Sequence, residues 1–450
     1  MNKRASPKPD IIAAIATALG RGGIGVVRIS GSDLGLMIHS LIGHDLASRH
    51  ATYTPFRDVD GVIIDHGIAI FFPAPNSYTG EDVLELQGHG GAAVLQLLLQ
   101  RCLAAGARLA HPGEFTQRAF LNNKLDLLQA EGVADLIDAS SELAVRCANR
   151  SLQGDFSKSI YGLVDALVEL RMRIEATIDF PEEDQDPADL GQCENQLNNI
   201  SAKLDQIFNL ARQGSILREG AHIVLVGEPN VGKSSLLNRL SREDVALVSE
   251  VPGTTRDAIR QLINIKGVPL HIIDTAGLRE SQDAVEKMGM ERTKQAMNKA
   301  DLVLLLIDAT RERIGIQQDI LKLVPENISK LYVINKIDLV QQAARIETLG
   351  ADCYIYLSAK TEDGIELLRD KILQMLNWQG DAGAFMAKER HLRALLLAKE
   401  CLQRAATELK QVELFAEELR LAQEVLSSIT GEFSSDDLLG EIFSRFCIGK

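Results

Sequence analysis

Three absences narrow this chain of 450 residues before any motif is read. The six cysteines, Cys102, Cys147, Cys193, Cys353, Cys401 and Cys447, form no C-x-x-C pair, so neither a zinc cluster nor a disulfide framework is indicated. A reducing compartment fits that pattern. No apolar run approaches the roughly 20 residues that span a bilayer. The nearest imitation of a leader is Lys3 and Arg4 ahead of the run Ile11 to Leu19. There, two prolines and Asp10 intervene, and no small-x-small cleavage pattern follows. Positive charge is also short: 48 Lys and Arg against 62 Asp and Glu leave a formal net charge of -14. A nucleic-acid partner therefore has to be met by a local basic patch, because no general positive field exists. The expectation is a soluble, cytoplasmic protein with no membrane partner.

What is present is ordinary folding material. Hydrophobic residues make up 46% and charged residues 24%, unlike a disordered chain. The length suggests roughly two to four domains. From Ile11 to about Leu121, short apolar runs (Gly25 to Ile29, Val62 to Ile64, Ile68 to Phe72, Val83 to Leu86) mix with a helix-like stretch, Ala92 to Ala105, and predict a compact α/β domain. From about Lys124 to Gly214 the period becomes helical, with Leu125, Leu128, Val133, Leu136 and Ile137 marking one apolar face and a loop at Phe180-Pro181.

Between Ala221 and about Leu376 strands alternate with helices: Ile223 to Val226, Ile259 to Ile265, Leu270 to Ile273, Leu302 to Ile307, Leu331 to Ile334 and Tyr354 to Leu357. Such alternation specifies a mostly parallel sheet covered by helices. Beyond Trp378 the pattern is helical again, over about Ala387 to Leu426 and Asp436 to Phe446. The fold class expected is α/β plus all-α, an α/β nucleotide domain inserted into a helical domain and preceded by an α+β domain. The expected boundaries are 1–121, 122–216, 217–378 and 379–450.

The strongest chemical signal follows the strand Ile223 to Val226. Gly227-Glu228-Pro229-Asn230-Val231-Gly232-Lys233-Ser234 leads into a helix at Ser235, which is the context of a phosphate-binding loop. Its glycines let successive N–H groups turn toward phosphate oxygens, Lys233 neutralises the outer phosphates, and the Ser234 hydroxyl takes one magnesium position. Asp274-Thr275-Ala276-Gly277 ends a later strand, so that Asp274 reaches Mg2+ through a water and the Gly277 N–H faces the γ-phosphate. Thr255, in Gly253-Thr254-Thr255-Arg256-Asp257, is placed to complete the magnesium shell as a switch element.

Base identity comes from Asn335-Lys336-Ile337-Asp338. Its carboxylate, Asp338, accepts hydrogen bonds from the guanine N1–H and 2-amino groups, which adenine cannot supply. Ser358-Ala359-Lys360 offers the Ala359 N–H to guanine O6. Together these elements predict a GTP-hydrolysing enzyme. Where a Ras-like enzyme carries a water-orienting glutamine, however, Leu278 stands, and an alkyl chain orients nothing.

Outside this site, Gly20-x-Gly22-x-x-Gly25 matches a dinucleotide fingerprint formally, but Val26-Val27-Arg28-Ile29 reads as a strand where a helix is required. Cys447 lies in an apolar, glycine-bearing tail, where it is either a nucleophile or a buried structural thiol.

Five further stretches carry a family resemblance: Gly20 to Gly25, Tyr78-Thr79-Gly80-Glu81-Asp82 through Gly91, Pro112-Gly113-Glu114-Phe115, Asn122-Asn123-Lys124-Leu125-Asp126-Leu127, and Phe446-Cys447-Ile448-Gly449-Lys450. With the phosphate loop they make the chain similar, over nearly its whole length, to the MnmE (TrmE) family of tRNA modification GTPases. The resemblance implies a potassium-activated mechanism, with K+ held by Asn230, Ser249, Val251 and Thr254 when two nucleotide domains meet. It puts the water-positioning acid at Glu286. The family usually shows threonine where Ser249 stands.

The resemblance further implies that the N-terminal domain binds a tetrahydrofolate one-carbon carrier (5-formyl- or 5,10-methylene-tetrahydrofolate) through Arg28, Glu85 and Lys124, with Lys450 reaching the same pocket. It also implies a homodimer, and a heterotetramer with the FAD-dependent partner enzyme MnmG. Together they would place a carboxymethylaminomethyl-type group at C5 of wobble uridine 34 in certain tRNAs. The rival expectation, a switch GTPase of ribosome assembly or signalling, predicts an added basic RNA-binding module, and the sequence has none.

Overall fold

The computed structural model describes residues 10–18, 20–179, 187–241, 260–274, 297, 300–311, 324–325, 328–350, 352–378, 380, 383–432, 436–444 and 446–449. These fall into two compact units, Met1–Ala134 with Ser151–Glu194 and Cys401–Lys450, and Asp135–Arg150 with Asn195–Glu400.

The first unit is built on a six-stranded sheet. Its strands are β1 (Ile12–Ile15), β2 (Gly22–Gly31), β3 (Thr52–Arg57), β4 (Ile63–Phe72), β5 (Asp82–Gly90) and β6 (Arg108–Leu109), in spatial order β3-β4-β5-β2-β1-β6. Alternation sets the faces: Val27, Ile29, Leu84 and Leu86 pack in one core with residues of helices α1 (Gly35–Ile42) and α2 (Ala92–Ala104). Residues of opposite parity point the other way, and at one end of that face Ile12 and Ala14 pack with Phe115 of α3 (Glu114–Leu121). The cross-strand register places Arg28 directly opposite Glu85. Because β2 begins at Gly22, the Gly20-x-Gly22-x-x-Gly25 stretch runs into a strand, as the residues after it require.

Helices α4 (Leu127–Asp138), α5 (Glu142–Leu152), α6 (Asp155–Asp179) and α7 (Pro187–Glu219) follow in sequence. The expected apolar face near Leu125 is only partly right. Leu127, Leu128 and Ala130 are buried, whereas Ile137 is 42% exposed. The face turns because Glu131, Gly132 and Asp135 are buried, so polar positions share the inner side.

The second unit holds a seven-stranded sheet in the order β12-β13-β11-β10-β7-β9-β8. Its strands are β7 (Ala221–Gly227), β8 (Arg260–Ile265), β9 (Val268–Asp274), β10 (Leu302–Asp308), β11 (Ser329–Asn335), β12 (Arg345–Leu349) and β13 (Asp352–Tyr356). The five central strands run parallel, with β8 and β12 antiparallel at the edges. Buried on both faces, β10 reads as a continuous apolar run, Leu302 to Ile307, as a central parallel strand must. Helices α8 (Lys233–Leu240) and α9 (Ile365–Met375) contribute Leu236, Leu237, Leu240, Leu368 and Ile372 to one core with Leu225, Leu304 and Val333.

The single helix expected over about Ala387 to Leu426 is two, α10 (Glu389–Thr407) and α11 (Val412–Thr430). The break falls at 408–411, where the Glu408 N–H donates to the Arg404 and Ala405 carbonyls and the Gln411 N–H to Glu408. These turns close the first helix and restart the chain. In the first unit α11 packs along α6, with the Arg171 guanidinium donating to Gln423 Oε1 at 2.6 Å. A last helix, α12 (Asp436–Ser444), buries Leu439, Ile442 and Phe443 with Leu127 and Phe446. The chain is thus mixed α/β, with a phosphate-loop domain between helical segments in sequence and an α+β domain ahead of them.

Candidate nucleotide site

The site gathers at the C-terminal ends of the parallel strands, where an open α/β sheet presents loops rather than pairing groups. Strand β7 delivers the phosphate loop. Asn230 takes a left-handed backbone at φ 62° and Gly232 another at φ 101°, and these two turns wrap residues 228–232 before α8 begins. Gly232 has a second reason to lack a side chain, because a Cβ there would lie 2.3 Å from Asn335 Nδ2. The buried Lys233 donates from Nζ to the Gly227 carbonyl at 2.7 Å and to the Glu228 carbonyl at 2.8 Å. This ammonium is thereby folded over the loop it is expected to serve. Ser234 and Ser235 are exposed at the first turn of α8, where the helix N-terminus and its dipole favour an anion.

Strands β11 and β13 deliver the two loops expected to read the base. Asn335 is 2% exposed and spends both ends of its amide inside the protein. Nδ2 donates to the Val231 carbonyl at 2.8 Å, and Oδ1 accepts the Ala359 N–H at 2.9 Å. Asn335 therefore ties the phosphate loop to the Ser358-Ala359-Lys360 loop. The Ala359 N–H, expected at guanine O6, is given to Asn335 here, so it serves a base only by sharing or exchanging that bond. Asp338 lies in a short 3-10 turn, Ile337–Leu339, after Lys336 at φ 69°. The buried Ser358 hydroxyl donates to Asp338 Oδ1 at 2.7 Å and fixes how that carboxylate points.

Between these loops is a cavity of about 460 Å³, lined among others by Gly232, Ser235, Asn238, Lys336, Asp338 and Lys360. Arg239 of α8 also lines it, donating to the Ala359 carbonyl at 3.2 Å and pairing with Glu362. Neither Arg239 nor Asp308 stands among the residues picked out by motif. Asp308 closes β10 and takes the Lys336 ammonium at 2.6 Å. The signal available for it was an acid ending an otherwise apolar strand. Burial works to raise the Asp308 pKa, but hydrogen bonds from Lys336 and Thr310 outweigh it and hold the carboxyl below its ordinary range.

Several expected residues, Ser249, Val251, Thr254, Thr255, Thr275, Ala276, Gly277, Leu278, Glu286 and Lys450, lie outside the described residues. Asp274 closes β9, beside Leu225 of β7 in the sheet register.

A second constellation sits in the first unit. The Arg28 Nε donates to Glu85 Oε1 at 3.0 Å, and the guanidinium lies 5.5 Å from the Tyr78 ring centre and 5.9 Å from that of Phe115. Both members of the pair are half-buried. Lys124 lays its stem against Gly80 and donates from Nζ to the Pro75 carbonyl at 3.1 Å. The C-terminal tail lies on the same unit, since the Gly113 N–H donates to the Cys447 carbonyl at 3.3 Å. Gly449, at φ 95°, fits so close to β1 that a Cβ would meet the Ile15 carbonyl at 2.3 Å. Cys447 is exposed, while the other five cysteines are buried, so the structural alternative is the one the geometry disfavours.

A phosphate loop, a strand-terminal Asp and the N-K-x-D and S-A-K loops after β11 and β13, all on one mostly parallel sheet, define a P-loop GTPase. The family model described as MnmE helical domain matches residues 127–447, and that described as GTP-binding protein TrmE N-terminus matches residues 11–124. The tRNA modification GTPase MnmE of Nitrosospira multiformis is 59% identical, covering 98% of this chain and 100% of its own. Its namesakes from Nitrosomonas europaea and Chromobacterium violaceum are 58% and 54% identical, each covering 98% of this chain and 99% of its own. The chain belongs to the MnmE (TrmE) family.

Proposed function

We propose that this GTPase acts in the cytoplasm as a homodimer and, with the FAD-dependent partner MnmG, modifies tRNA. The product is a carboxymethylaminomethyl-type group at C5 of wobble uridine 34, and its carbon comes from a tetrahydrofolate carrier. The names of relatives matching end to end support tRNA as the substrate. The observation that carries the nucleotide half is the Asp338 carboxylate, held by Ser358 on the wall of a cavity that also meets the phosphate loop.

Several of the described residues suit the groups this reading needs. The Ser234 hydroxyl is exposed at the N-terminus of α8, so it is available as a Mg2+ ligand, with Asp274 and Thr255 completing the set. Asn230 is exposed on the left-handed turn of the phosphate loop, where its side-chain oxygen suits a K+ ligand, and Ser249, Val251 and Thr254 supply the rest. Bound there, such a cation supplies positive charge against the phosphates, the part an arginine finger plays elsewhere. Leu278 stands where a glutamine would orient water, and the family resemblance gives that part to Glu286. In the first unit, Glu85 has acceptor capacity beyond its bond to Arg28 for an amino-substituted pterin edge, and Arg28 and Lys124 suit folate carboxylates, with Lys450 joining them.

The test is GTP hydrolysis by the purified chain in potassium and in sodium at equal ionic strength. The proposed cation site requires a clear excess of rate in potassium, and equal rates would remove it.

A further inference from the structure

Strand β10 lies between β7, which carries the phosphate loop, and β11, which carries the base-reading loop. Its C-terminal end therefore borders both. The register puts Asp308 beside Asn335, and the Ala309 N–H donates to the Asn335 carbonyl at 2.8 Å. Asp308 Oδ2 accepts from Lys336 Nζ at 2.6 Å. Asp308 Oδ1 accepts from the Thr310 N–H at 3.0 Å and from the Thr310 hydroxyl at 2.7 Å. Both carboxylate oxygens are thus committed, one to orientation and one to the ammonium. On the other side Arg311 pairs with Glu228 of the phosphate loop. That second pair is mostly exposed, so it contributes little by itself.

We propose that Asp308 is a positioning residue for guanine nucleotide: by anchoring Lys336 it holds one wall of the base cavity in its binding shape before the nucleotide arrives. The inference rests on reading that cavity as the guanine site. Lys336 stands at φ 69°, so its backbone is already fixed, and the stem that leaves it lines the cavity. A four-carbon stem with no partner would sample many rotamers, and ordering it would weaken binding. Asp308 is 11% exposed and Lys336 30%, so their bond is shielded from water in a way surface ion pairs are not. The depressed pKa of Asp308 agrees, since the charged form is the one stabilised.

The experiment is titration of the full chain with a fluorescent GDP, comparing wild type, Asp308→Asn, Lys336→Met and the double variant, with steady-state GTP hydrolysis alongside. Asp308→Asn should bind about tenfold more weakly, as loss of a charge-assisted hydrogen bond requires. The KM for GTP should rise by a similar factor while kcat stays within about twofold, because the phosphates are not touched. In the Lys336→Met background, Asp308→Asn should have almost no further effect. Thr310→Val, which removes only the orienting hydroxyl, should cost about threefold. Binding by Asp308→Asn within twofold of wild type, or full additivity in the double variant, would overturn the proposal. Should Asp308→Asn fail to fold, wild-type binding by Thr310→Val would overturn it instead. A wild-type chain that binds no guanine nucleotide would strike the underlying reading.

Discussion

Asn335 and Val231 are 104 residues apart in sequence and are joined by a buried 2.8 Å hydrogen bond from the Asn335 amide to the Val231 carbonyl. Asn335, which opens the motif whose Asp338 is expected to read the base, links that loop to the phosphate loop. Replacing it orphans two buried backbone groups, the Val231 carbonyl and the Ala359 N–H. Asn335→Ala should weaken GDP and GTP alike by roughly thirtyfold, near 2 kcal/mol, measured by nucleotide titration. Unchanged affinity would mean that the two loops hold their places without the link.

Asp338 is oriented by Ser358, and a carboxylate side chain offers guanine acceptors only. An asparagine there accepts from N1–H but donates at the second position. That suits the 2-oxo group of xanthine rather than the 2-amino group of guanine. Asp338→Asn should lose roughly a thousandfold in kcat/KM for GTP and gain hydrolysis of xanthosine triphosphate, which competition kinetics would show.

The first unit carries its own acid-sensitive network. Glu114 accepts from Arg108 at 2.5 and 2.9 Å and from the His111 N–H at 2.7 Å, with Arg118 at 3.5 Å. Burial pushes the Glu114 pKa up, but these bonds and the charges of Arg108 and Arg118 prevail and leave it lowered. A lowered folded pKa means that the stabilisation is complete above the ordinary value of 4.5 and is lost as pH falls through the folded value. Denaturant melts should therefore show stability falling below about that pH. Glu114→Gln should cost about 2 kcal/mol at neutral pH and flatten the acid limb.

Because Cys447 is exposed, its thiol fills no core space. Cys447→Ser should leave stability within about 0.5 kcal/mol of wild type in thermal melts. Loss of tRNA modification in that stable variant would mark the thiol as chemical. A large stability loss would instead return it to a structural part.

The strands of the second unit were legible to within a few residues because a parallel sheet demands unbroken apolar runs, and Leu302 to Ile307 or Leu331 to Ile334 admit little else. Edge strand β12 was not, since Arg345–Leu349 exposes Ile346 and Leu349 and carries no such run. The phosphate loop and the loops after β11 and β13 could be located because such chemistry fixes residue type at fixed spacing. Asp308 and Arg239 could not, because they act on groups far away in sequence, the Lys336 ammonium and the Ala359 carbonyl, and only the sheet order brings them there. The break between α10 and α11 was also hidden, since Glu408-Leu409-Lys410-Gln411 is composed of good helix formers and yet closes the helix in local turns.

The claim that nucleotide turnover at this site serves tRNA chemistry is tested most directly by mass spectrometry of wobble uridines. The tRNA would come from cells lacking the gene, and from the same cells given back the wild-type chain or Asp338→Asn. The account predicts unmodified wobble uridine in the deletion, restoration by wild type and none by Asp338→Asn. Fully modified wobble uridines in the deletion strain would contradict it.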